Sequence, residues 1–279
     1  MVKIMDKNET RDNINYNFLN TIQFTVKFTG MIDLDIQEYI KNVRDYLNEK
    51  GYIFMYQTLK YKTIDDDYSN DEGKMQIFKF QSDNNKTIEM CKDEIKIEID
   101  MTRNKTHFGQ YIDTISNLIN ELKKKDYIKL TEIGLKKINT CYFLDDANLS
   151  DYFNDNVLSI FDKHSYSSQN RDLFFTDNGI IQYDRSMQVG LITEDNNDFS
   201  VKQIILSILA SNDHLEYPDE NGNERSGKEI CKNAIEKLDY LNYEIFNVFY
   251  ESLTDSFIKK LTSSEFEDKN IRGVRKNDQ

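Results

Sequence analysis

The chain has 279 residues, of which 36 are Lys or Arg and 49 are Asp or Glu, so its formal net charge at pH 7 is −13. One proline, ten glycines and three cysteines exclude a collagen-like chain and a disulfide scaffold, and 38% hydrophobic residues argue against full disorder. The acidic balance argues against a general nucleic-acid binder and against docking on anionic lipid, because both need an excess of Lys and Arg. No apolar run reaches the roughly 18 residues that a membrane-spanning helix needs.

The three cysteines, Cys91, Cys141 and Cys231, are far apart in the sequence and form no C-x-x-C pair. The sequence therefore predicts neither a zinc ribbon nor a redox dithiol. Residues 1–11 lack the apolar stretch of a secretory signal. We expect a reduced, soluble, cytoplasmic protein that spans no membrane and holds no metal or cofactor.

Hydrophobic periodicity in the first half of the chain, residues 1–146, predicts the element order β-α-β-β-(β)-β-α-β. The first predicted helix has Asp33 or Asp35 as a candidate N-cap and Gly51 at its C-terminal end. The cleanest strand alternation of the chain spans residues 95–101, and a second helix follows it. An antiparallel sheet with the helices packed on one face would bury these patterns, so we predict an α+β fold.

The second half, residues 147–279, has a different pattern. Short apolar runs predict a three-stranded meander, with turns at Asp177-Asn178-Gly179 and near Asp184. Ser200 is a candidate N-cap for a helix over residues 201–210. The two halves are thus predicted to be rich in strands and interlocked.

A long amphipathic helix is predicted over residues 227–261. It would be about 50 Å long if unbroken, which is more than a small sheet can cover. We therefore expect the helix to break near Ser252–Thr254 or to pack on another subunit. Its apolar stripe is the predicted interaction surface of a homodimer, and it contains Leu238, Leu241, Ile245, Phe249 and Leu253.

Two segments form a recognisable pattern. The first is the strand Leu130-Thr131-Glu132-Ile133-Gly134-Leu135-Lys136-Lys137-Ile138-Asn139. The second is the C-terminal helix, which reads Leu238-x-x-Leu241-Asn242-x-x-Ile245-Phe246-x-x-Phe249 and runs into Leu253-Thr254-Asp255. Together they resemble a sporadically distributed bacterial family of uncharacterised proteins of similar length, although Lys136 and Lys137 stand where that family favours Arg and an aromatic residue. The resemblance implies no activity and no catalytic residues, and the patchy distribution is similar to that of accessory or defence genes.

One candidate for chemistry is the pattern of a restriction-type nuclease, in which an upstream Asp and a Glu-x-Lys strand hold a divalent metal that activates water. Glu94-Ile95-Lys96 fits this pattern, because alternation places Glu94 and Lys96 on the same face of a strand. Asp83 or Asp71 would supply the upstream carboxylate. The simpler interpretation is that Glu94 and Lys96 belong to the outward face of an amphipathic strand whose inward face is isoleucine.

A second alternative is a single-stranded nucleic-acid binder that stacks bases on an aromatic strand. That strand would use Tyr52, Phe54, Tyr56 and Tyr61, with Lys60 and Lys62. The acidic loop at residues 65–72 would repel phosphate, so core packing is the preferred interpretation of these rings. The loop itself lacks the glycine of an EF-hand. His107, His164 and His214 have no ligand spacing and are predicted to be surface or capping residues.

We predict from the sequence a non-enzymatic protein-binding or assembly protein, accessory to a bacterial defence or mobile-element conflict system. Each candidate catalytic pattern has a simple structural explanation. The apolar stripe of the C-terminal helix exceeds what one small sheet covers, so a protein partner, including a second copy of the chain, is the expected ligand.

Overall fold

A computed structural model describes residues 11, 13–61, 74–83, 85–103, 108–159, 161, 165–177, 179–194, 197–213, 215–216 and 225–277. The strands are β1 (Tyr16–Asn17), β2 (Leu19–Thr29), β3 (Ile53–Tyr61), β4 (Lys74–Gln81), β5 (Lys86–Met90), β6 (Glu94–Asp100), β7 (Lys129–Leu144), β8 (Ser167–Thr176), β9 (Gly179–Glu194), β10 (Asn197–Asn212), β11 (Ile271–Arg272) and β12 (Arg275–Lys276). The α-helices are α1 (Asp33–Glu49), α2 (Gly109–Leu122), α3 (Asp155–Leu158), α4 (Gly227–Ser252) and α5 (Asp255–Leu261).

The strands form one large sheet and a two-stranded sheet, so the predicted α+β class is confirmed. In the ten-stranded sheet the hydrogen-bonded order is β3-β4-β5-β6-β2-β7-β10-β9-β8, and β11 pairs with β7. The small sheet joins β1 to β12. The strand pairs whose register is described are antiparallel.

The element order predicted for the first half is found in the structure, from β2 through α1, β3 to β6 and α2 to β7. Helix α1 begins after Ile32, whose N–H donates to the Asp35 carboxylate at 3.0 Å. Asp35 therefore caps the helix from its third position. Gly51 has a φ of +83° just beyond the C-terminal end, which is the left-handed conformation that ends many helices.

Two predictions for the second half are wrong. The segment expected to be a helix after Ser200 lies inside β10, a 16-residue strand that pairs with β7 on one side and β9 on the other. The sequence predicts a helix because apolar residues recur at positions 201, 204, 205, 208 and 209. In the strand the even-numbered residues 204–212 are buried, and Ile205 and Leu209 are half-buried. The expected turn near Asp184 is also absent, because Asp184 lies within β9 and pairs with Arg171 of β8.

The long C-terminal helix breaks where the sequence predicted, between Ser252 and Asp255. The Thr254 hydroxyl accepts a hydrogen bond from the Phe257 N–H at 3.2 Å and so caps the second helix. The same hydroxyl donates to the Asp151 carbonyl at 2.8 Å. The break is therefore held by side-chain and backbone bonds to the segment before α3.

The chain divides into two compact units that are discontinuous in sequence. The first contains residues 1–22, 136–210 and 240–279, and the second contains residues 23–135 and 211–239. This division differs from the predicted boundary at residue 146, because β2, β7, β10 and α4 each contribute to both units.

The core of the first unit is a cluster of aromatic rings. Its centre is Phe257, whose ring centroid lies 5.1 Å from that of Tyr152 and 5.9 Å from that of Phe18. Phe143 contacts Tyr152 at 4.6 Å between centroids. Each such pair adds roughly 0.5–1.5 kcal/mol beyond the burial of its apolar area.

In the second unit a buried carboxylate fixes the start of α1. Asp35 accepts hydrogen bonds from Lys125 Nζ at 2.6 Å and from the Tyr127 hydroxyl at 2.7 Å, in addition to the Ile32 N–H. The Ile32 N–H, followed by the bonds from Lys125 and Tyr127, lowers the pKa of Asp35 from 3.8 to about 2. The backbone at Gly30 packs closely against Tyr127. A Cβ at residue 30 would lie only 2.5 Å from the Tyr127 carbonyl oxygen, so a larger residue would clash there.

We expect Asp35→Asn to lower the free energy of unfolding by about 2 kcal/mol, since it removes the charge from several hydrogen bonds to a buried group. The matched control is Glu38→Gln, which removes the exposed partner of the same lysine and should cost less than about 1 kcal/mol. Urea unfolding at pH 7 measures both changes.

The difference between wild type and Asp35→Asn should shrink as the pH falls from about 4 to about 2. The folded-state pKa is below the unfolded value, so the contribution of Asp35 is complete above pH 4 and is lost as the folded carboxylate becomes protonated. Equal losses for the two variants at pH 7 would contradict the assignment.

Candidate functional site

The predicted interaction helix is occupied by the chain's own core. Leu238, Leu241, Ile245 and Leu253 are buried in the single chain, with exposed fractions of 0–2%. Phe249 is half-buried, and its ring lies 5.3 Å from that of Phe18. Four of the five side chains of this stripe are therefore covered within the chain, and the free apolar stripe on which the dimer prediction depends is not present at those positions.

The three residues of the nuclease hypothesis are not brought together. Glu94 begins β6, whereas Asp83 lies in the turn between β4 and β5, beside the far end of β6, where Asn85 accepts a hydrogen bond from the Asp100 N–H. Six residues of strand, about 20 Å, separate the two ends. Asp71, the other upstream candidate, lies outside the described residues.

Glu94 and Lys96 do share one face of β6, as predicted, but the lysine has other partners. Burial alternates strictly along the strand, and Lys96 forms an ion pair with Glu98 at 3.1 Å. Burial raises the pKa of Glu94, and the Asp93 carboxylate raises it further, against the opposing charges of Lys27 and Lys96. The arrangement is a row of charges on the outward face of a strand.

The remaining sequence candidates do not assemble a site in the part of the chain described. Tyr52 is buried, and Phe54 lies beneath the Arg44 guanidinium at 5.5 Å, so the strand presents no row of open rings. Within the described ranges, no three metal-ligating side chains converge, and no helix is both long and apolar enough to cross a bilayer. The acidic loop, the three histidines, Lys62 and the side chains of Lys60 and Tyr61 lie outside the described part.

Lys137, in β7, has an unusual environment. Its Nζ donates to the Asn242 side-chain oxygen at 2.5 Å. Burial, with the nearby charge of Arg11, lowers the pKa of Lys137 from 10.5 to about 8. Burial disfavours the charged form of a lysine, so Lys137 lowers the free energy of unfolding while it is charged. This effect can be measured as a function of pH.

A cluster of large, exposed apolar side chains lies at the turn end of the β8–β9 hairpin. Phe175 is 83% exposed and Leu173 60% exposed, and Phe174 and Ile180 are also exposed. Phe175 lies directly opposite Ile180 in the ladder, so the two share a face. Leu173 lies on the same face as Phe175 and Ile180, and Phe174 lies on the opposite face. We call the four residues Leu173, Phe174, Phe175 and Ile180 the edge patch.

The edge patch lies on the last strand of the sheet order. All ten residues of β8 pair with β9 in continuous register, without a bulge. The strand at the other end of the order, β3, also exposes Ile53, Met55 and Tyr56, but its register shifts between Phe54 and Tyr56. A bulge makes an edge a poor template for another strand, so β8 is the more regular edge.

Polar contacts hold the hairpin in shape on both faces. Arg171 donates to the two carboxylate oxygens of Asp184, at 2.6 and 3.4 Å, and Gln182 donates to Asp184 at 2.8 Å. Burial alone would raise the pKa of Asp184, but these hydrogen bonds lower it below the usual value. On the opposite face, buried Arg185 bonds to Asp172 and stacks over the Tyr183 ring at 4.8 Å.

The hairpin is also anchored to the end of α4. The Tyr183 hydroxyl and the Ser252 hydroxyl are 2.6 Å apart, and Ser252 donates to the Val248 carbonyl at 2.7 Å. Both residues are buried. The edge patch is thus presented by a strand pair whose middle is fixed to the core of the first unit.

Sequence reasoning placed the turn at Asp177-Asn178-Gly179 but missed the edge patch. The signal was present, since Leu173, Phe174 and Phe175 are three consecutive large apolar residues between polar ones. Three in a row exceed the single buried face of an edge strand, so at least one ring must stay exposed. Only the strand order shows that β8 has one neighbouring strand, β9, among the described residues.

We expect the free energy of unfolding of wild type, relative to Lys137→Met, to rise between pH 8 and pH 10 and to be constant below pH 8. The folded-state pKa of about 8 lies below the unfolded value of 10.5, so the unfolded chain binds more protons in this window. Urea unfolding of both proteins at pH 7, 8, 9 and 10 measures the difference. A difference that stays constant from pH 7 to pH 10 would refute the assignment.

Comparison with known proteins gives this chain no assignment. No protein-family model matches the sequence, and no curated protein is significantly similar to it. The candidate site therefore rests on its own geometry: a regular edge strand, a set of exposed rings and a hairpin anchored to the core.

Proposed function

We propose that the chain is a non-enzymatic protein-binding protein that associates through β8 and the edge patch. The observation that carries this proposal is the exposure of Leu173, Phe174 and Phe175 on the last strand of the sheet. Large apolar residues that cluster on a surface mark interaction sites far more often than scattered single ones do.

Apolar burial supplies the first part of the binding energy. Transferring one large side chain from water to an apolar contact gives roughly 1.5–3 kcal/mol. Aromatic residues are enriched among the few that dominate protein interfaces, because a ring buries much area with little loss of side-chain entropy. Phe175, the most exposed large apolar residue among those the structure describes, is the expected anchor.

The backbone supplies the second part. In an antiparallel ladder every second residue directs its N–H and C=O away from its paired neighbour. On ten-residue β8 about half of the backbone groups therefore face outward and suit an added strand. Main-chain bonds give affinity in this mode, and the side chains at alternate positions give specificity.

The charged groups beside the edge patch support binding rather than catalysis. Arg171 and Asp184 are paired with each other, and Arg185 pairs with Asp172. A catalytic acid or base needs a pKa near the working pH and a reach to the substrate. Paired groups on a flat strand are better suited to fixing the orientation of a partner.

The test compares Phe175→Asp with Leu191→Asp. Leu191 is a 72% exposed apolar residue of β9 outside the edge patch, so both variants place a charge on an exposed apolar position of the same hairpin. Both should unfold within a few degrees of wild type, because neither side chain is in the core.

Each protein is immobilised and exposed to an extract of the native host, and bound proteins, including the chain itself, are quantified. We expect Phe175→Asp to lose at least 10-fold of the specific binding that wild type and Leu191→Asp retain. Equal binding by all three proteins would exclude the edge patch as the binding surface.

A further inference from the structure

We propose that the partner of β8 is a second copy of this chain, whose β8 adds antiparallel to the first with Phe174 at the centre. This inference rests on the proposed function and names the ligand of that same edge. It follows from the order of residues along the strand, which is complementary to itself in one register.

Sheet geometry restricts the possible registers. A two-fold axis perpendicular to the sheet places corresponding faces of the two copies on the same side of the joined sheet. Residues directly opposite each other must share a face, so only registers centred on a residue are allowed. Near the edge patch the candidate centres are Asp172, Leu173 and Phe174, because a centre at Phe175 would set apolar Leu173 opposite the carboxylate of Asp177.

Charge distinguishes these three registers. A centre at Asp172 sets that carboxylate opposite its own copy, and like charges directly opposite destabilise a strand pair. A centre at Leu173 sets Asp172 opposite Phe174 and joins no opposite charges. A centre at Phe174 sets Leu173 opposite Phe175 and brings Arg171 beside Asp177, the turn residue that directly follows β8 in the other copy, twice by symmetry.

Arg171 and Asp177 are both available for an ion pair between the two copies. Arg171 is exposed, and its guanidinium has five N–H donors, of which Asp184 receives two. Asp177 is exposed in the turn that follows β8. Arg171 can therefore keep its bond to Asp184 and still reach a carboxylate across the new strand pair.

Net charge does not forbid this association. Each copy carries −13, but at physiological ionic strength the screening length is about 8 Å, so the charges adjacent to the contact decide. A contact of six strand residues and one turn residue per copy is smaller than a standard interface, so the dimer should be reversible, with a Kd on the order of micromolar.

Sedimentation velocity from 1 to 200 µM is measured for wild type, Arg171→Asp, Asp177→Arg and an equimolar mixture of the two variants. We expect wild type to dimerise and each variant alone to dimerise about 10-fold more weakly, because each homodimer then holds two repulsive pairs. The mixture should dimerise within about 3-fold of wild type, because both pairs are attractive in the heterodimer.

The control is Glu236→Arg, which makes the same charge change as Asp177→Arg on an exposed position of α4. It should leave the wild-type Kd unchanged. Recovery in the mixture cannot come from loss of the Arg171–Asp184 pair, since that loss is present in every molecule of the Arg171→Asp variant.

Two outcomes overturn the inference: wild type that stays monomeric at 200 µM, or a mixture that associates no better than its components. Neither outcome contradicts the proposed function if Phe175→Asp still loses partners that Leu191→Asp retains. A dimer that forms equally well in Phe175→Asp would remove the edge as the contact and overturn both.

Discussion

Each backbone N–H and C=O of a sheet needs a hydrogen-bond partner, and a strand at the end of the order can satisfy only one of its two rows from its neighbour. In this chain β8 is such a strand, and it is also where three large apolar residues occur in succession. Outward backbone groups and exposed rings thus coincide on one regular strand. The interaction proposed for this protein depends on that coincidence.

The C-terminal helices show the opposite use of apolar residues. Their apolar stripe is packed in the core of the chain. After the helix break at Thr254, Phe257 packs in the aromatic cluster with Phe18 and Tyr152. A strong hydrophobic stripe therefore marks packing within the chain here. The shorter and less periodic run at residues 173–175 is the one left in contact with water.

Much of the fold could be predicted from local patterns. Helix α1, its Gly51 terminus and the alternation of β6 follow from the spacing of apolar residues and from one backbone conformation, which are properties of neighbours in sequence. Strand β10 could not be recognised, because its apolar residues at positions 201, 204, 205, 208 and 209 have the spacing of a helix.

The site was harder to predict because it is defined by pairings between distant residues. Asp83 and Glu94 are close in sequence, yet the register of β5 with β6 places them at opposite ends. Asp is common in turns, which favours a turn near Asp184, but the register of β8 with β9 sets Asp184 opposite Arg171 inside a long strand. No local pattern shows that β8 is the last strand of the order.

The three cysteines have a practical consequence. Cys91, Cys141 and Cys231 are free and buried, and burial raises the pKa of each thiol, that of Cys91 to about 12. Thiolate is the reactive form, so the folded chain is a poor target for alkylating dyes. A cysteine introduced on the surface would therefore react selectively with a fluorophore, without prior substitution of the three native cysteines.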